Sequence, residues 1–162
     1  MDKINVGITV TILDPKESLF TNGIRQNALI LRDTFKKIDF VNEVYYIDFG
    51  PKKDLAGSVW EKYEDCIINF DESLSKVNVV VTVCQFVSGD FVKKYKEAGI
   101  KLVRHIMGNS YYLFSESSLF KDDEGSTIHK QPGYDAIWIS PDRKSTRLNS
   151  SHMSESRMPS SA

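Results

Sequence analysis

Two short polar clusters in this chain have the residue types for binding chemistry, and each falls where an apolar, β-rich run gives way to a helical pattern. The first is Thr21-Asn22-Gly23-Ile24-Arg25-Gln26-Asn27. It opens a helix, so unsatisfied backbone N–H groups and the positive end of the helix dipole lie beside Asn22 and Gly23. Gly23 lets a ligand approach the backbone closely, and Asn27 follows about one turn on. Such a corner suits a phosphate- or sugar-bearing ligand. The same residues also read as an N-cap followed by ordinary helix-surface polar groups, and spacing alone favours neither. The second cluster is Gly108-Asn109-Ser110-Tyr111-Tyr112, after a strand pattern ending near Met107. Asn109 and Tyr111 can hydrogen-bond sugar hydroxyls, although a turn plus N-cap accounts for them more simply. Gln85, after the central strand, is a third residue at a strand tip. Glu116 lies in the next helical stretch, where it can serve as a general base or stand as a solvated acid.

Several familiar chemistries have no residues to carry them. The GxGxxG fingerprint is missing after the first strand, where Gly7 stands alone, so dinucleotide binding of the usual type is not expected. A P-loop, a paired acid for magnesium, a nucleophile elbow and histidine or cysteine at metal-ligand spacing are all absent, so no metal site is expected. Asp14-Pro15-Lys16-Glu17-Ser18 is a poor version of a flavodoxin phosphate loop. His105, on one strand face with Val103 and Met107, reads as a core histidine. Trp60 and Trp138 read as packing residues, with Trp138 the better interface candidate.

These clusters must be positioned by a scaffold, and the scaffold is legible. Lys3–Leu13, Glu43–Phe49, Cys66–Phe70, Val77–Val83, Ile100–Met107 and Asp135–Ile139 read as strands. The first and fourth are β-branched runs without strict alternation, the mark of strands covered on both faces. Between them, Ile24, Ala28, Leu31, Phe35 and Ile38 recur at helical spacing behind a Thr21 or Asn22 cap. Lys52–Glu64 reads as loop with a short helix, and Asp71–Leu74 as a polar turn or short helix. Asp90–Ala98 reads as a helix closed by Gly99, and Ser110–Phe120 as another. Strands alternating with helices predict an α/β, Rossmann-like three-layer domain with a mostly parallel sheet. Its site belongs at the strands' carboxyl ends.

The chain has 162 residues, 41% hydrophobic and 27% charged, enough for one globular core. Its net charge of −1 combines a mildly acidic body (17 basic and 20 acidic residues in 1–141) with a basic end. That balance argues against a nucleic-acid partner. Cys66 and Cys84 read as two reduced, buried thiols. With no signal-peptide pattern and no membrane-length apolar run, a cytoplasmic protein is expected, and a peripheral membrane association stays compatible.

Composition breaks after Pro141. Residues 142–162 hold seven serines and no aromatic residue, so no packed face is expected there. The stretch from Asp142 to His152 resembles the translation of a sequencing adapter. Residues 1–141 are therefore expected to form an amino-terminal domain whose second domain is missing, followed by an artefactual, disordered tail.

In order along the body, NGIRQN, VYYID, VNVVVTV, AGIKLV, GNSYY and YDAIWISP resemble the amino-terminal half of a bacterial, uncharacterised glycosyltransferase-like family with the GT-B fold. The resemblance implies one half of a two-domain protein. This half faces a sugar or glycan acceptor, and the missing carboxyl-terminal domain holds a nucleotide-sugar donor. It implies no metal or cofactor in this fragment, which would be inactive alone. It places Asn22, Gly23 and Asn27 toward the diphosphate side of the cleft and Gln85, Gly108, Asn109 and Tyr111 on the acceptor side, with Glu116 as a candidate base. A non-catalytic GT-B-like binding or scaffold protein is the alternative.

Overall fold

A computed structural model describes residues 2–17, 23–83, 87, 89–106 and 133–139. In chain order the elements are β1 (Ile4–Val10), α1 (Gly23–Phe35), β2 (Val41–Asp48), a 3-10 segment (Glu61–Cys66), β3 (Ile67–Ile68), α2 (Phe70–Lys76), β4 (Val79–Thr82), α3 (Asp90–Glu97), β5 (Lys101–Ile106) and β6 (Ala136–Ile139). The strands form one sheet in the order β3-β2-β1-β4-β5-β6. The pairings from β3 across to β5 are all parallel. The Asp135 N–H donates to the Leu102 carbonyl at 2.8 Å, so the start of β6 lies beside the start of β5. This is the strand order of the Rossmann fold, with its topological switch between β1 and β4.

The two faces of the sheet are filled differently. Ile47, Val80 and Leu102 point to the face covered by α2 and α3, where they pack with Ile68, Phe70 and Tyr95. Each such buried side chain contributes roughly 1.5–3 kcal/mol. Gly7 lies on this face because a Cβ there would sit 2.4 Å from Ile47 Cδ1. On the other face, α1 packs against β1 and β2, burying Ala28 and Leu31. Beside it Tyr46, Trp60 and Tyr63 meet edge to face, with centroids 5.5 to 6.3 Å apart. The Arg32 guanidinium lies over Tyr46 and Tyr63 at 5.6 and 5.4 Å. Trp60 is fully buried, as a packing tryptophan should be.

Strand ends depart from the apolar pattern where capping chemistry intervenes. The third strand is only Ile67–Ile68, shorter than the Cys66–Phe70 run, because Asn69 caps a helix that already begins at Phe70. Asn69 Oδ1 accepts the Glu72 N–H while Glu72 Oε2 accepts the Asn69 N–H, a reciprocal capping box. Cys66 falls in the preceding 3-10 turn as a free, half-buried thiol donating to the Tyr63 carbonyl, and burial pushes its pKa up. Cys84 lies outside the described residues. Gly99, at φ 74°, takes the left-handed position that closes α3.

The amino ends of the strands are tied by side chains. Asn5 accepts from Asn42 Nδ2 on β2, donates its backbone N–H to Asn78 Oδ1, and donates Nδ2 to the Lys76 carbonyl. Asp135 Oδ2 accepts the Leu102 N–H at 2.8 Å and binds Lys96, with Lys101 close to Oδ1.

Candidate functional site

Because β1 and β2 are parallel and α1 connects them, α1 runs back across the sheet and its first turn lies at the carboxyl edge. Gly23 is the first residue of that helix, and Asn27 lies one turn in, half-buried. Of the residues singled out from sequence, these two are placed by the structure. Asn22, Gln85, Gly108, Asn109, Tyr111 and Glu116 lie outside the described residues.

The same turn holds a residue whose position the helical pattern did not anticipate. Arg25 is 5% exposed, and its Nη1 lies 2.6 Å from Glu17 Oε2. A cation in the first turn opposes the helix dipole, and the Glu17 carboxylate offsets it. Glu17 is brought there by the turn leaving β1, where Asp14 Oδ1 accepts the Lys16 N–H and the Asp14 carbonyl accepts the Glu17 N–H. The Arg25–Glu17 pair is neutral as a whole, so the feature of this corner that favours negative charge is the helix start itself, with its free N–H groups.

At the switch point the β1–β4 ladder ends at Ile8–Val81. The next amide is caught by a side chain, with the Val83 N–H donating to Thr9 Oγ1 at 3.0 Å, and Thr9 and Thr82 are fully buried. A side chain thus takes over from the backbone ladder at the switch point, the place where ligands enter open α/β sheets.

A cavity of about 520 Å³ opens at the carboxyl ends of β2 and β3. Asp48, the last residue of β2, stands on its wall. Its Oδ1 accepts the Gly50 N–H and its Oδ2 accepts from Lys53 Nζ, both at 3.1 Å. Ile12, Leu55, Phe49 and Phe70 supply apolar wall, the two rings 5.6 Å apart. Lys52, Glu64, Asp71 and Glu72 are also part of the lining. The Glu72 carboxyl is held below its ordinary pKa, first by the Asn69 N–H and then by Lys76 and Lys52. An acid ending the second strand was visible in EVYYIDFGP, but its placement at a cavity depends on the sheet order.

His105 is 4% exposed, as a core histidine should be, and burial lowers its pKa. Its ring stacks on Trp138 at 4.2 Å, while Trp138 itself remains 42% exposed at the β6 edge. Among the described residues, no group of three or more His, Cys, Asp or Glu side chains is placed to hold a metal ion. Among the same residues, no helix is long and apolar enough to cross a membrane.

Residues 6–160 match the profile of a family described as Protein of unknown function (DUF2827), and the chain belongs to that family. The matched span includes 142–160, most of the stretch that resembles translated adapter. No curated protein matches the sequence. Among solved structures, the crystal structure of S. aureus homoserine dehydrogenase at pH 6.5 is similar with a TM-score of 0.41 and 11% identity, over 86% of this chain and 32% of that one. The same enzyme at pH 6.0 gives 0.40 and 13%, over 86% and 33%. This chain spans about a third of the length of those structures.

Proposed function

We propose that this member of a family of unknown function is the acceptor-side, Rossmann-like domain of a GT-B-type glycosyltransferase, cytoplasmic and working with a nucleotide-sugar donor held by a second domain. The observation that supports it is the carboxyl edge of the parallel sheet. That one edge carries the α1 start with its buried Arg25–Glu17 pair, the switch point between β1 and β4, and the cavity beside Asp48. Fold alone does not name a reaction, so the proposal rests on what each part can do.

In this reading the α1 start and Arg25 lie on the diphosphate side of the cleft. There the fixed N–H dipoles of the helix start offset part of the charge that develops on a leaving nucleotide without a metal ion, and the Arg25–Glu17 pair holds that turn in place. Gly23 leaves the backbone open to close approach, and Asn22 and Asn27 supply hydrogen bonds. Gln85, Gly108, Asn109 and Tyr111 orient the acceptor, and Glu116 accepts the proton of its attacking hydroxyl.

The test is to incubate the full-length, two-domain protein with UDP-, GDP-, dTDP- and CMP-sugars and follow nucleotide release, with donor binding measured by calorimetry. Turnover of one donor, lost in Glu116→Gln, is the expected result. Sugar binding without any turnover would instead make the protein a non-catalytic binder. Silence in both assays would defeat the proposal.

A further inference from the structure

We infer that the cavity at the ends of β2 and β3 is a binding site for an uncharged, hydroxyl-rich ligand, one sugar unit in size class, with adjacent hydroxyls on the Asp48 carboxylate. Its volume of about 520 Å³ falls within the roughly 300–1,000 Å³ typical of small-molecule sites.

The polar wall is built to a fixed geometry. The Asp48 side chain is 11% exposed, and its two partners, the Gly50 N–H and Lys53 Nζ, occupy two of about four acceptor positions on a carboxylate. The remaining lone pairs suit two neighbouring hydroxyl donors. Lys53, 20% exposed, spends one ammonium hydrogen on Asp48 and has others to offer. Gly50 is part of the same device. A Cβ there would sit 2.8 Å from Lys53 Nζ and 3.3 Å from Asp48 Oδ1, so only a bare backbone leaves the pair this position on the wall. The Phe49 and Phe70 rings give the C–H face of a sugar an apolar surface.

Charge selects among polar ligands. Four carboxylates (Asp48, Glu64, Asp71, Glu72) line the cavity against two ammonium groups (Lys52, Lys53). That excess repels phosphate, so a neutral glycosyl unit suits this wall better than a nucleotide does. The inference rests on the glycosyltransferase reading for the class of ligand, and goes beyond it by placing a sugar where sequence singled out nothing.

The experiment uses the 162-residue chain, isotope-labelled for amide NMR. The probes are the methyl glycosides of glucose, galactose and N-acetylglucosamine, with UMP as the phosphate-bearing counter-probe. At least one glycoside is expected to shift the Gly50, Lys53 and Phe70 amides, with binding weakened tenfold or more in Asp48→Asn. Gly50→Ala, whose methyl displaces Lys53 without altering the strand, is expected to weaken binding while thermal stability holds, and it serves if Asp48→Asn does not fold. The inference is overturned if no glycoside moves those amides, if neither variant weakens binding, or if UMP binds the cavity more tightly than every glycoside. Glycoside shifts confined to other residues would overturn this placement yet leave the acceptor-side reading intact. A full-length protein without transferase activity, with these amides still responding, would do the reverse.

Discussion

Replacing Tyr95 by Phe probes the best-defined polar contact in the core. Tyr95 Oη lies 2.8 Å from Ser73 Oγ, and both residues are fully buried. Ser73 Oγ already donates to the Phe70 carbonyl at 2.6 Å, so its single hydrogen is committed and Tyr95 is the donor of the pair. Tyr95→Phe removes that donor and leaves Ser73 still bonded to the carbonyl, for a loss of about 1 kcal/mol. Ser73→Ala strands the tyrosine hydroxyl away from water, at about 2–3 kcal/mol, while the Phe70 carbonyl, in the first turn of α2, keeps its place in the helical ladder. The double variant should cost less than the two singles together, because the hydroxyl stranded by one is removed by the other. Urea unfolding of the four proteins at pH 7 measures all of this. The contact also has a pH signature. Burial raises the Tyr95 pKa to about 12 from 10.0. The protonated form is therefore the one favoured by folding; its benefit is complete below pH 10 and drains away as pH climbs to 12. Two units correspond to on the order of 3 kcal/mol. The advantage of the parent over Tyr95→Phe should shrink and then invert across that interval. The reasoning would be refuted by a Ser73→Ala cost smaller than that of Tyr95→Phe, by strict additivity, or by an advantage that does not change with alkaline pH.

Gly7→Ala should destabilise by about 1–3 kcal/mol, since its methyl would fall 2.4 Å from Ile47 Cδ1, and Ile47 is fully buried and cannot swing into solvent; trimming Ile47 to Val in the same chain should restore part of the loss in a thermal melt. Asp135→Asn should cost about 1 kcal/mol, discounted for partial exposure of its ion pairs. Lys96 first, then the Leu102 N–H, hold the Asp135 carboxyl down at about 2. Its contribution is therefore intact above the ordinary carboxylate value and disappears as pH drops from about 4 toward 2. Acid titrations of the two proteins followed by circular dichroism should converge over that window.

The parallel architecture was readable because β-branched runs such as VNVVVTV have no polar face to give to water. Ends were less readable. Ile67 and Ile68 sit in an apolar run, yet Asn69 and Glu72 stop the strand by a local hydrogen-bond exchange that outweighs apolar character. Arg25 looked like a helix-surface residue because nothing in a helical period reports a partner eight positions upstream, outside the helix. Asp48 lay in plain sight at the end of a strand. Its role at the cavity follows from β2 lying beside β3, a fact of topology that residue periodicity does not encode. His105 and Trp138 behaved as their neighbours suggested, one enclosed and the other at the rim of the sheet.

The amide clasp of Asn5, Asn42 and Asn78, continued by Asp135, gives the sheet two unequal rims. Side-chain hydrogen bonds tie the strands to one another at their amino ends, the rim opposite the proposed cleft. With the proposed cleft at the other rim, residues there can change while the strands stay in step, so ligand preference can diverge among descendants without each new preference having to rediscover how to fold.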